Sequence, residues 1–342
     1  MAVTISPKER LTRTLDRLPV ERPPVICPGG MMNSAIVDVM NATGHTLPDA
    51  HSDKQLMIAL AEDVSNQTGF ENIGVPFCMT VEAEALGSDI DFGTLECEPK
   101  IKIEKFPNAE SVEFLPKGAV AQSARARTVI ETIYELSKRN PDIPVIGSIT
   151  GPVSAAASIV DPMTFLKQLR KNKDAAHKVM DYVTNQIIEY ALLCADNGAS
   201  VISIADPTAT GEILGPKFFD EYAVPYLNKL ADAVKSTGKQ VIIHICGDVS
   251  MVKPGLANLN CNALSTDSVV SLKKIKDELG GIVVMGNVST YLLQFGKEDK
   301  VSETTANLMK EGIDIIAPAC GLSTSTPIAN INAMTKTVVS GG

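Results

Sequence analysis

Eight short runs rich in β-branched residues recur along the chain, at 25–27, 72–75, 145–149, 201–205, 241–245, 263–266, 282–285 and 313–317. Segments with helical periodicity separate them, including 53–68, 119–138, 175–196, 217–236, 269–279 and 298–310. Strands of near-continuous apolar character must be covered on both faces, and alternating helices are what cover them. The repeat therefore predicts an α/β fold, a closed (β/α)8 TIM barrel, with a doubly wound open sheet as the alternative. Ser6-Pro7-Lys8-Glu9 supplies a helix N-cap, a proline at the first helical position and a glutamate three residues after the cap, which predicts an extra N-terminal helix. The alternation of Cys97, Ile101 and Ile103 within 93–106 predicts a small antiparallel excursion after the second strand. No low-complexity linker interrupts residues 1–342, so one catalytic domain is expected.

Composition narrows the function. The formal net charge is −9, which argues against nucleic acid, because phosphate contacts need clustered Lys and Arg. The eight arginines stop at Arg170, so the second half offers no guanidinium forks for a substrate with many carboxylates. No uninterrupted apolar run of about 18 residues suggests a membrane span. The N-terminus turns charged at once, without a signal-peptide core, and a cytoplasmic location is expected. Seven cysteines, an odd number without a disulfide spacing, point to free thiols that are filler or metal and redox groups.

In a barrel of this kind the chemistry sits where the strands end. Those ends read Cys27-Pro28-Gly29-Gly30, Pro76-Phe77-Cys78, Thr150-Gly151-Pro152, Asp206-Pro207, His244-Ile245-Cys246-Gly247-Asp248, Asp267, Gly286-Asn287 and Cys320-Gly321. His244 and Cys246 are two residues apart on a strand, so both side chains point into the barrel mouth. Imidazole and thiolate suit zinc, and Cys320 on the same rim supplies a third ligand. Three protein ligands leave a fourth position open, which is the catalytic rather than the structural zinc arrangement. Such a zinc stabilises a thiol or hydroxyl as its anion, or polarises an ether or alcohol oxygen as a leaving group, and either use fits methyl transfer.

The strings Gly147-Ser148-Ile149-Thr150-Gly151-Pro152, Ala205-Asp206-Pro207, His244-Ile245-Cys246-Gly247, Gly286-Asn287-Val288 and Ala317-Pro318-Ala319-Cys320-Gly321 together resemble the uroporphyrinogen decarboxylase superfamily. Within it, His-x-Cys with the late Cys resembles the cobalamin-dependent methyltransferase branch, the methylcobamide:coenzyme M methyltransferases and corrinoid-linked O-demethylases. The resemblance implies a zinc held by His244, Cys246 and Cys320, and a corrinoid protein whose cobalamin docks over the barrel mouth. A small methyl donor or acceptor (an aryl methyl ether, methanol or a thiol such as coenzyme M) completes the reaction, with a slight lean to demethylation from the Gly29-Gly30-Met31-Met32 loop and Glu82. The alternative is a metal-free decarboxylase anchored by Asp206. It fits poorly, since those enzymes carry an Arg-rich motif where this chain has Ile26–Met32.

Further roles are expected around this centre. Glu82 is a candidate fourth zinc ligand and Glu84 a catalytic acid, the plain alternative being solvated residues at a helix start. Asp206 and Asp267 are candidates to orient His244 or to exchange protons, as carboxylates commonly do behind a ligating histidine. Gly29, Met31, Cys78 and Asn287 are candidates to contact the cobalamin. A homodimer is left open.

Overall fold

The computed structural model describes residues 5–341. Its strands are β1 (Ile73–Val75), β2 (Asp89–Asp91), β3 (Lys100–Ile103), β4 (Val145–Thr150), β5 (Val201–Ala205), β6 (Gln240–Ile245), β7 (Ala263–Thr266) and β8 (Val283–Met285). Strands β1, β4, β5, β6, β7 and β8 pair in that order in one parallel sheet, while β2 and β3 form the antiparallel excursion. The ring closes through two extended segments. Ile315 bridges Met285 in parallel, and Ile316 bridges Val25. On the other side of Val25, its carbonyl accepts from the Glu71 amide at 2.8 Å. The result is the expected TIM barrel, with its first and last strands reduced to bridges. Pro23, Pro24, Pro28 and Pro318 flank those segments and remove ladder donors, which explains the reduction.

Asn72 repairs the weakest seam. Its side-chain oxygen accepts from the Cys27 amide at 2.8 Å and its amide donates to the Cys27 carbonyl at 2.9 Å, so a side chain stands in for a missing ladder rung.

The helices start where the caps require. Ser6 accepts from the Glu9 amide and opens Pro7–Leu15, and Asp53 accepts from the Gln55 and Leu56 amides to open Lys54–Thr68. The expected helix 119–138 is split into Ala119–Gln122 and Ala124–Arg139, because Ser123 adopts an extended conformation and caps the second piece. The expected helix 217–236 is likewise broken, into Gly211–Phe218, a π turn at Phe219–Ala223 and Val224–Lys235. Helices Pro152–Ile159, Pro162–Lys171 and Ile328–Ser340 complete the outer layer. Among the described residues no helix is long and apolar enough to cross a membrane.

Parallel register stacks the interior in layers. Gly147 faces outward toward Ile133 and Cys194, so Ile146, Ser148 and Thr150 face inward. Register then carries the upper layer around the barrel as Thr150, Ala205, His244, Ser265 and Met285. This layer lies at the end of the strands where the connections to the helices begin.

Candidate metal centre

His244 is fully buried on β6, and Cys246 follows it one residue past the strand end. The His244 Nε2 lies 3.1 Å from Cys246 Sγ, and Cys246 Sγ lies 3.0 Å from Cys320 Sγ. The three ligand atoms all fall within 4.8 Å of one another. Strand alternation directs the first two inward as expected, and the closing segment at 315–318 delivers the third. Both cysteines are partly open, and Cys320 lines a cavity of about 700 Å3 that is also bordered by Met31, Glu98, Lys100, Tyr291 and Gln294.

The electrostatics of the pair suit a cation. A hydrogen bond from Cys246 holds the Cys320 thiol well below its ordinary range, with His244 helping against the cost of burial. The same bond, followed by burial and the charges of Cys320 and Asp267, pushes the Cys246 thiol up. Two thiolates 3 Å apart repel strongly unless a positive ion lies between them, and a dication would allow both to ionise. A nitrogen and two sulfurs converging beside an open cavity fit zinc with one coordination position free.

The other expected residues divide. Met31 belongs to the centre, its Sδ being 3.8 Å from Cys246 Sγ. Asp267 lies near enough for its charge to act on Cys246, although its carboxylate accepts from Ser268 Oγ and the Val269 amide. Neither Asp267 nor Asp206 orients His244, contrary to expectation. That contact belongs to Ser265, whose Oγ is 2.9 Å from His244 Nδ1. Asp206 instead caps the helix Pro152–Ile159, its carboxylate accepting from the Val153 and Ser154 amides and the Ser154 hydroxyl. Burial raises its pKa to about 6 against the pull of those bonds.

Glu82 and Glu84 do not reach the ligand cluster. The buried Glu82 carboxylate accepts from the Thr150 amide and hydroxyl, each at 2.8 Å, and burial raises its pKa. Glu84 forms an ion pair with Arg125, Nε to Oε2 at 2.7 Å. Cys78 is buried beside Thr80 Oγ1 at 3.4 Å, and Asn287 donates to the carbonyls of Asp267 and Val270, bracing that loop. Gly29 is packed on the protein's own backbone: a Cβ there would meet the Gly74 carbonyl carbon at 2.8 Å. Its positive φ of 95° permits this close approach.

Two residues escape the sequence reading. Ser265 has no motif, and only the β6–β7 register reveals it. Glu98 stands on the excursion, outside the strand ends. The protein around its carboxyl, and then the Cys320 charge, raise its pKa to about 7.

The family model described as uroporphyrinogen decarboxylase (URO-D) matches residues 6–340. The chain belongs to this family. Among its relatives, a methylcobamide:CoM methyltransferase of Methanosarcina acetivorans is 33% identical over 97% of both chains. A uroporphyrinogen decarboxylase of Prochlorococcus marinus is 27% identical over 79% of this chain and 81% of its own. A solved structure of a methyltransferase from Methanosarcina mazei superposes with a TM-score of 0.91 at 30% identity, covering 98% of this chain and 99% of that one. Within the uroporphyrinogen decarboxylase family the chain is thus similar, along nearly its full length, to methyltransferases.

Proposed function

We propose that this protein is a zinc-dependent methyltransferase that moves a methyl group between the cobalamin of a corrinoid protein and a small thiol. The observation that carries the reading is the convergence of His244 Nε2, Cys246 Sγ and Cys320 Sγ beside an open cavity. The full-length similarity to a relative named methylcobamide:CoM methyltransferase supports the cobamide and thiol assignments.

His244, Cys246 and Cys320 would hold the zinc. Bound there, it would supply the positive charge that keeps a substrate thiol ionised at neutral pH. The protein's own residues do the rest. Met31 crowds the Cys246 side of the centre, and the cavity beside Cys320 leaves an approach for a small molecule. Glu98 and Lys100 line the cavity, an acidic and a basic residue that can select the polar end of that molecule. Ile213, Met251, Val269 and Tyr291 are exposed apolar side chains in the segments that follow β5, β6, β7 and β8, three of them in the first turns of short helices and one in a loop. An apolar rim of this kind fits a partner that brings a large cofactor to the mouth.

The sequence-based lean toward demethylation rested on Gly29–Met32 and Glu82. Gly29 packs on β1 and Glu82 binds Thr150, while Met31 of the same loop stays at the centre, so the choice of a thiol rests on the similarity to the methylcobamide:CoM methyltransferase. The decarboxylase alternative loses its anchor, because the Asp206 carboxylate is fully buried in a helix cap.

Elemental analysis of purified wild type and Cys320→Ala tests the reading. We expect about one zinc per wild-type chain and a large loss in the variant, with methyl transfer from free methylcobalamin to coenzyme M falling in parallel. Zinc-free wild type that transfers methyl at full rate would overturn it.

A further inference from the structure

Resting on the zinc reading of the centre, we propose that Ser265 is the positioning residue that assigns His244 Nε2 to the metal. A neutral imidazole carries one N–H and one lone pair, and the hydrogen-bond partner of one nitrogen decides which is free. Here the two nitrogens face different chemistry. Nε2 points at the sulfur pair, 3.1 Å from Cys246, while Nδ1 points at Ser265 Oγ, 2.9 Å away. His244 and Ser265 are both fully buried, so bulk water does not reach Nδ1 to take the serine's place. With the Nε2 lone pair turned to a cation, the proton resides on Nδ1 and the serine oxygen accepts it.

The pairing is built into the sheet. His244 on β6 and Ser265 on β7 are register partners, and both side chains face the barrel interior. The two rim carboxylates that the sequence offers as partners of His244 are engaged elsewhere, Asp206 in a helix cap and Asp267 with its own loop. A neutral hydroxyl also has a chemical consequence. Unlike a carboxylate it adds no negative charge behind the ring, so the ligand charge offsetting the metal comes from the two cysteines and the incoming thiol.

Zinc affinity, measured by competition with a chromophoric chelator, tests this in wild type and Ser265→Ala. The expected result is binding weakened about 10- to 100-fold in the variant, with shifted visible absorption bands in the cobalt-substituted protein as the ring loses its orientation. A second measurement needs no variant. Nitrogen-15 spectra of zinc-loaded wild type, with His244 assigned, should show a slowly exchanging proton on Nδ1. Affinity within about twofold of wild type in Ser265→Ala, or a zinc-bound Nδ1, overturns the role of Ser265 while the zinc site stands. Wild type that binds no zinc overturns the reading of the centre and this inference with it.

Discussion

His51 shows what burial does to a titrating side chain. Both of its ring nitrogens lack a hydrogen-bond partner, and the residue is 2% exposed. Burial, reinforced by the nearby Arg125 charge, lowers its pKa to about 3 from an ordinary 6.5. The unfolded chain therefore binds a proton that the folded one refuses, and the stability from the neutral ring is complete only above pH 6.5. It is lost as pH falls toward 3. At pH 5 this group should cost about 2 kcal/mol relative to pH 7.5. Urea midpoints of wild type and His51→Leu at the two pH values check it. The variant should show a shallower loss on acidification, and parallel behaviour would show that His51 does not set the slope. Asp206 makes the complementary point about legibility. Its place at a strand end can be read from the sequence, but its three donors come from a helix start some fifty residues away, so its role cannot.

Among the elements, β1 is three residues long and owes its position to a glycine. A Cβ on Gly74 would lie 2.2 Å from the Pro28 carbonyl oxygen, a backbone atom that cannot swing aside. Gly74→Ala should therefore force the first two strand positions apart and cost roughly 3 kcal/mol or more. Gly44 is the control. It ends the helix Val37–Thr43 with a φ of 78°, but a Cβ there meets nothing within 4 Å. Gly44→Ala should cost only about 1 kcal/mol, from the left-handed backbone. Denaturant unfolding of the two variants separates steric exclusion from conformational strain, and equal losses would contradict the close approach. Periodicity located the central strands to within a residue or so, because buried parallel strands leave a continuous apolar run. It overstated the first and last strands, where prolines outside the runs remove the ladder donors.

At the scale of the whole molecule, the floor of the barrel is tied by Glu71. Its carboxylate accepts from Arg10 Nη1 at 2.6 Å, Arg22 Nη2 at 2.6 Å and the Val25 amide at 3.0 Å, joining the N-terminal helix to the seam where the ring closes. Arg10 is 3% exposed and also pairs with Glu21. Glu71→Gln would leave the poorly solvated Arg22 without its counter-charge and Arg10 with Glu21 alone, and we expect a loss of about 3 kcal/mol with a melting temperature lowered by several degrees. An unchanged melting curve would show that the network is surface decoration. The centre at the other end divides in the same way between what is local and what is not. From the sequence alone come the strand–helix repeat, the inward direction of His244 and Cys246, and the placement of Cys320 on the same rim. Each depends on backbone periodicity over a few residues, and periodicity is written in the order of residue types. Tertiary structure decided that Ser265 rather than an aspartate backs His244, that Glu82 serves Thr150, that Glu98 reaches the cavity from the excursion, and that Asn72 closes the ring. Those pairings depend on register between strands and on the paths of long connections, so they are settled only when segments distant in the chain meet.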